Sequence, residues 1–122
     1  MRVLVVDAAN VVGSRPDGWW RDRPGAATRL HAQLAAAALP YDEVVLVLEG
    51  KARAGQPEGQ KRGIRTVHAN GDGDGAIVEA VTERTGAAEI LVVTADRGLQ
   101  RRVEAAGAQT AGPSWLLDRL NS

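Results

Sequence analysis

Five carboxylates stand just behind the apolar runs of this 122-residue chain, and that placement is its first sign of chemistry. Asp7 follows Arg2–Val6, Glu49 follows Val44–Leu48, and Asp96 comes two residues after Ile90–Thr94. Asp72 and Asp74 lie in the glycine-rich turn Gly71–Gly75 behind Ile64–Ala69. If these runs are parallel strands of one sheet, their C-terminal ends lie along one edge and the acids share it. Carboxylates converging in one crevice repel each other unless a cation or a shared proton compensates. The chain has no cysteine and no histidine at useful spacing, so the donors are all oxygen, which suits Mg²⁺ or Mn²⁺ rather than Zn²⁺.

Each acid also has an ordinary structural use. Asp74 and Asp96 precede helical stretches and serve equally well as N-caps, while Asp72 and Glu49 read first as turn formers. Asp7 differs, because an ionised group at the end of a central buried strand needs a partner. Asn10 either caps a turn or orients a substrate or a water. His31, within a helix, and His68, on a strand, read as structural. Of Trp19 and Trp20, one is expected to cover the core and the other is free to stack on a base. The segment Lys51–Arg65 carries Lys51, Arg53, Lys61, Arg62 and Arg65 against the single acid Glu58. It reads as a solvated loop, or, together with Arg15, Arg21, Arg23 and Arg97, as a basic rim on the same edge as the acids.

The elements that must position these groups are legible in outline. Arg2–Val6, Val44–Leu48, Ile64–Ala69 and Ile90–Thr94 are short continuous apolar runs of the kind found in strands buried on both faces, and Ala108–Ala111 is a short fifth. Helical spacing recurs in Pro24–Leu39, Asp74–Arg84, Arg97–Ala106 and Pro113–Leu120. Strands alternating with helices predict a three-layer α/β/α sandwich, residues 1–122 forming one domain. If the first strand is central and the fourth lies beside it, Asp7 and Asp96 face each other across the switch point where open α/β sheets bind ligands.

Composition narrows the classes. Fifteen basic and fifteen acidic side chains cancel, which argues against coating nucleic acid by charge alone. The absence of cysteine excludes disulfide partners, thiolate metal sites and cysteine nucleophiles. No apolar run approaches a membrane span, and the N-terminal run meets Asp7 too early for a signal peptide, so a cytoplasmic protein is expected. No GxxxxGK[ST] loop, GxGxxG turn or GxSxG elbow is present.

Three segments resemble the NYN domains, a branch of the PIN-like metal-dependent nucleases. Val5-Val6-Asp7-Ala8-Ala9-Asn10-Val11-Val12-Gly13 is similar to that family's strand ending in D-G-x-N-(V/I)-(I/V). Gly73-Asp74-Gly75-Ala76-Ile77 is similar to its G-x-D-D-x-I helix start, and Val92-Val93-Thr94-Ala95-Asp96-Arg97-Gly98 to its V-(T/S)-x-D-R-x block. The resemblance implies a central, mainly parallel five-stranded sheet in the order 3-2-1-4-5. It also implies one or two Mg²⁺ or Mn²⁺ ions held by Asp7, Asp74 and Asp96, with Asn10 as the family's amide. Gly75 stands where many relatives carry a second Asp, and Gly98 where related nucleases often carry another acid.

The resulting expectation is a metal-dependent nuclease, a ribonuclease first, hydrolysing phosphodiester bonds with Asp7, Asn10, Asp74 and Asp96 as the catalytic set. RNA is the expected partner, guided by Arg97, Lys51, Arg53, Lys61 and Arg62. A nucleoside triphosphate pyrophosphohydrolase using the same metal site is the nearest alternative. A catalytically degenerate module that binds RNA or protein is another, prompted by Gly75. A homodimer is also compatible with the sequence.

Overall fold

The computed structural model describes residues 1–121. Strand β1 (Arg2–Asp7) runs into a short helix α1 (Ala8–Gly13), a 3-10 turn (Trp19–Arg21) and helix α2 (Arg23–Ala37). Strand β2 (Glu43–Leu48) leads through a second 3-10 segment (Gly50–Gly55) to a hairpin of β3 (Gly59–Lys61) and β4 (Ile64–His68). Helix α3 (Gly73–Glu83), β5 (Glu89–Val93), α4 (Arg97–Ala105), β6 (Gln109–Ala111) and α5 (Pro113–Leu120) complete the order.

The six strands form one mixed sheet in the order β3-β4-β2-β1-β5-β6. This corrects the expected five-stranded 3-2-1-4-5 sheet: β3 is an additional edge strand, antiparallel to β4, whereas the other neighbouring pairs are parallel. The physical reason lies in a two-residue turn. Lys61 pairs with Ile64, and the intervening Arg62 and Gly63 both have positive φ, 54° and 84°, as a type I′ hairpin demands. Arginine is a poor advertisement for such a turn, and Gly59-Gln60-Lys61 has no apolar pattern, so the tripeptide reads as loop. Residues Lys51–Arg65 are therefore not one loop but a 3-10 segment followed by a hairpin.

Alternation along each central strand sends side chains to two cores. Leu4, Val6, Leu46 and Leu48 face α1, α2 and α5 with Val11, Leu30 and Leu116. Val3, Val5, Val45, Val47 and Val92 face α3 and α4 with Ile77, Val81, Leu99 and Val103. Each fully buried Val or Leu contributes about 1.5–3 kcal/mol of transfer free energy, so a strand buried on both faces is held more firmly than an edge strand. The central strands β1, β2 and β5 supply the rigid frame, and the loops at their C-terminal ends carry the polar groups.

Helix starts are specified locally. Asp22 caps α2 by accepting from the Gly25 N–H at 2.9 Å, with Pro24 in the first turn. Asp96 caps α4 by accepting from the Leu99 N–H at 3.0 Å. The chain leaves α4 through Gly107, whose φ of 99° is a left-handed conformation that suits glycine. Among the described residues, no helix is long and apolar enough to cross a membrane.

Candidate active site

Parallel pairing brings the C-terminal ends of β4, β2, β1 and β5 to one edge. Strands β1 and β5 are neighbours, in register from Arg2 with Glu89 to Val6 with Val93. The chain leaves β1 toward the face covered by α1 and α2, and leaves β5 toward the face covered by α4. A crevice at such a switch point is the usual ligand site of an open α/β sheet.

Asp7 and the loop after β5 are knitted together there. The Asp7 carboxylate is only 4% exposed and accepts hydrogen bonds from three donors. Oδ2 receives Asn10 Nδ2 at 2.9 Å and Thr94 Oγ1 at 2.9 Å, and Oδ1 receives the Asn10 N–H at 3.4 Å. The same Thr94 hydroxyl oxygen accepts from the Asp96 N–H at 3.1 Å, and Asn10 Oδ1 accepts from the Ala95 N–H at 3.2 Å. Gln100 Nε2 donates to the Thr94 carbonyl at 2.8 Å. Such a network of charge-assisted bonds satisfies a buried ion and locks its rotamer. Thus Asp7, Asn10 and Asp96 are brought to one place, with Asp96 exposed and one of its oxygens engaged as the cap of α4.

Asp74 occupies the first turn of α3 and is half-buried. Burial pushes its carboxyl above the usual range, and the charges of Asp96, Asp72 and Asp7 push the same way against a smaller opposing pull from Arg102. Glu49, at the end of β2, is also raised, first by burial, while the Gly73 N–H donated to its Oε2 at 2.8 Å opposes this. The charges of Asp7, Asp72 and Asp74 raise Glu49 further. The five acids therefore stand in one another's field. Among the described residues, none of them forms an ion pair with a lysine or arginine.

Among the described residues, no three His, Asp or Glu side chains lie close enough, as placed, to enclose one ion. A small hard cation does not require that. Mg²⁺ commonly takes one or two carboxylates and fills its remaining positions with water and substrate phosphate. An all-oxygen set in which burial first and mutual repulsion second raise Asp74 and Glu49, and which lacks a paired base among the described residues, suits such an ion.

The basic residues divide. Lys51 and Arg53 lie in the Gly50–Gly55 segment at the acidic edge, where Arg53 donates to the carbonyls of Gly50 (3.0 Å) and Ala69 (3.4 Å). Arg97 is the first residue of α4, exposed beside Asp96. Lys61, the last residue of β3, and Arg62 in the turn after it lie instead next to Ile64 at the other end of β4, where they act on buried His31. Arg65 is paired with Glu43 at 3.7 Å. The expected rim is therefore incomplete, because the hairpin carries Lys61, Arg62 and Arg65 away from the edge.

Thr94 falls within the third resembling segment but is not among the expected site residues. Its signal is a hydroxyl at the end of an apolar strand, here with no exposed surface at all. Glu49, which reads as a turn former, also belongs with the acids.

The class of protein that fold and site define is an α/β sandwich with an acidic crevice at its switch point. The fold is that of Rae1 (YacP) from Bacillus subtilis. Its crystal structure matches with a TM-score of 0.81 at 20% identity over 99% of this chain and 74% of that one. The structure of a tryptophan-to-leucine mutant of the same protein matches with a TM-score of 0.81 at 20% identity, covering 99% of this chain and 76% of that one. No family model matches the chain, and no curated protein matches it significantly.

Proposed function

We propose that this protein is a nuclease that hydrolyses phosphodiester bonds with a divalent ion at the β1–β5 crevice, and that RNA is its substrate. The observation that supports the reading is that Asp74 stands in the field of Asp96, Asp72 and Asp7, with no lysine or arginine ion-paired to any of them among the described residues. The fold shared with Rae1 (YacP) supports a nuclease in general terms.

Asp7, Asp74 and Asp96 would hold Mg²⁺ or Mn²⁺. When bound, such an ion activates water and stabilises the charge developing on the phosphate oxygens. The chain's own groups do the rest. Asp7 is fixed in one rotamer by Asn10 and Thr94, so its position costs no reorganisation during reaction. Asn10 is held by Asp7 and by the Ala95 N–H, which leaves its amide at the crevice to orient substrate. Asp74 makes no hydrogen bond within the described residues, so its carboxylate oxygens are uncommitted and able to take a ligand position. Arg97, Lys51 and Arg53 lie near enough to the edge to steer a polyanion, whereas Lys61 and Arg62 do not.

The test is Mn²⁺-dependent cleavage of single-stranded RNA, beside hydrolysis of nucleoside triphosphates, by the wild type and by Asp74→Asn. Because Asp74 makes no internal hydrogen bond, its amide leaves the fold intact, unlike a change at Asp7. RNA cleavage reduced at least 100-fold in the variant is the expected outcome. Turnover of triphosphates alone overturns the nuclease reading in favour of a pyrophosphohydrolase. Retention of RNA without cleavage of either substrate makes the protein a binding module.

A further inference from the structure

The Trp19–Arg21 turn and the start of α2 enclose, against α1 and the Gly50–Gly55 segment, a cavity of about 330 Å³. Apolar side chains, Val12 and Ala27 among them, form much of its lining, and Trp19 and Arg23 stand in its wall. Its carboxylates are Glu49 and Asp72, which belong to the acidic edge, so cavity and edge are continuous. The volume is at the lower end of small-molecule sites.

Three features restrict what fits. The Arg23 guanidinium lies 5.3 Å over the Trp19 ring, and Trp20 meets that ring edge-on at 5.9 Å. Aromatic faces and guanidinium planes are the two surfaces on which unstacked bases are held. Both carboxylates repel phosphate, so the base of a nucleotide, not its phosphate, is the part admitted. Ionised carboxylates only accept hydrogen bonds, and Glu49 Oε1 receives none from the described residues. The guest must therefore present donors. Guanine, adenine and cytosine carry exocyclic amino groups, whereas the pairing edge of uracil has a single N–H.

We propose that this cavity is a nucleobase subsite that takes one unstacked, amino-bearing base of a single-stranded polynucleotide whose phosphates pass along the acidic edge. The proposal rests on the nuclease reading for its polynucleotide, but the subsite itself needs neither metal nor cleavage. In it, Trp19 stacks on the base, Glu49 and Asp72 read its amino group, and Arg23 closes over the outer face.

The intact protein is titrated with GMP, AMP, CMP and UMP without added metal, following the indole N–H resonance of Trp19, assigned through Trp19→Phe, and, for the variants as well as the wild type, by isothermal titration calorimetry. GMP, AMP and CMP are expected to shift that resonance saturably, with UMP at least tenfold weaker. Trp19→Ala weakens binding at least tenfold; Trp19→Phe, which keeps a ring, and Trp20→Ala stay within about threefold. Glu49→Gln, which adds a donor, reduces the discrimination against UMP at least threefold. If the mononucleotides leave Trp19 unmoved while RNA is cleaved, the subsite is wrong and the nuclease reading survives. Mononucleotides held at Trp19 by a protein that cleaves no RNA give the reverse result. Equal affinity for UMP overturns the reading of the base edge.

Discussion

Thr94 Oγ1 donates to Asp7 Oδ2 at 2.9 Å, joining residues 87 positions apart at the ends of adjacent strands. The bond is wholly buried, and the same oxygen receives the Asp96 N–H, so one hydroxyl sets the spacing of two proposed ligands. Thr94→Val keeps the shape of the side chain but leaves a buried carboxylate oxygen and an amide without this partner. We expect a stability loss of about 1–3 kcal/mol in urea denaturation. RNA cleavage should fall at least tenfold, with Mn²⁺ affinity falling too. Thr94→Ser should restore most of the metal affinity, which a purely space-filling role would not predict.

Asp74 illustrates a conflict between site and stability. Its folded pKa is raised above the ordinary 3.8, first by burial and then by Asp96, Asp72 and Asp7. Between the ordinary value and the raised one the folded state holds the extra proton, so stability falls as pH rises through that window. Above it the carboxylate is ionised and the repulsion is present in full. Asp74→Asn should therefore raise Tm by about 2–5 °C at neutral pH and leave it nearly unchanged below pH 3.8. Conversely, Mn²⁺ at about 100 times its Kd should stabilise the wild type by about 2.7 kcal/mol, and the variant much less. Differential scanning calorimetry with and without Mn²⁺ checks both.

The two glycines beside the acids differ in what they permit. A side chain at Gly75, in the first turn of α3, meets nothing within 4 Å, whereas at Gly98 it would meet Asp96 Oδ1 at 3.3 Å. Gly75→Asp should be accommodated and, supplying a further oxygen ligand near a helix N-terminus, should tighten Mn²⁺ about tenfold in isothermal titration. Gly98→Asp should gain less, because its carboxylate crowds the Asp96 cap.

His31 offers a pH test remote from the crevice. Its side chain is buried and its Nε2 has no hydrogen-bond partner among the described residues, and burial lowers its pKa below 6.5. Lys61 and Arg62 add to that lowering, against a backbone hydrogen bond involving Lys61. The unfolded chain thus takes up a proton near pH 6.5 before the folded one does, and stability is lost as pH falls from there through the lowered value. His31→Leu should flatten Tm between pH 7 and pH 5.5 while costing little at pH 8. An unchanged slope would place the loss elsewhere.

Local covalent sequence determines much of this molecule. Val3–Val6, Val44–Leu48 and Ile90–Val93 are apolar at every position, and only a strand covered on both faces satisfies such a run. Asp96 before Arg97–Ala105 and Pro24 near the start of α2 mark helix starts with interactions spanning three or four residues. The acids stand behind the strands for reasons written in the chain.

What only the tertiary structure decides depends on contacts between distant residues. The edge strand β3 exists because Arg62 and Gly63 accept a left-handed turn and β4 offers an unpaired edge, neither of which has an apolar signature. That hairpin removes Lys61 and Arg62 from the acidic edge, although they are close in sequence to Lys51 and Arg53. The bond between Thr94 and Asp7 and the cavity between Trp19 and Glu49 join segments brought together only by strand pairing and helix packing. Residue types and their places behind the strands are fixed by short-range order. Which of them meet is a consequence of long-range pairing, and that is where the chemistry of the site is set.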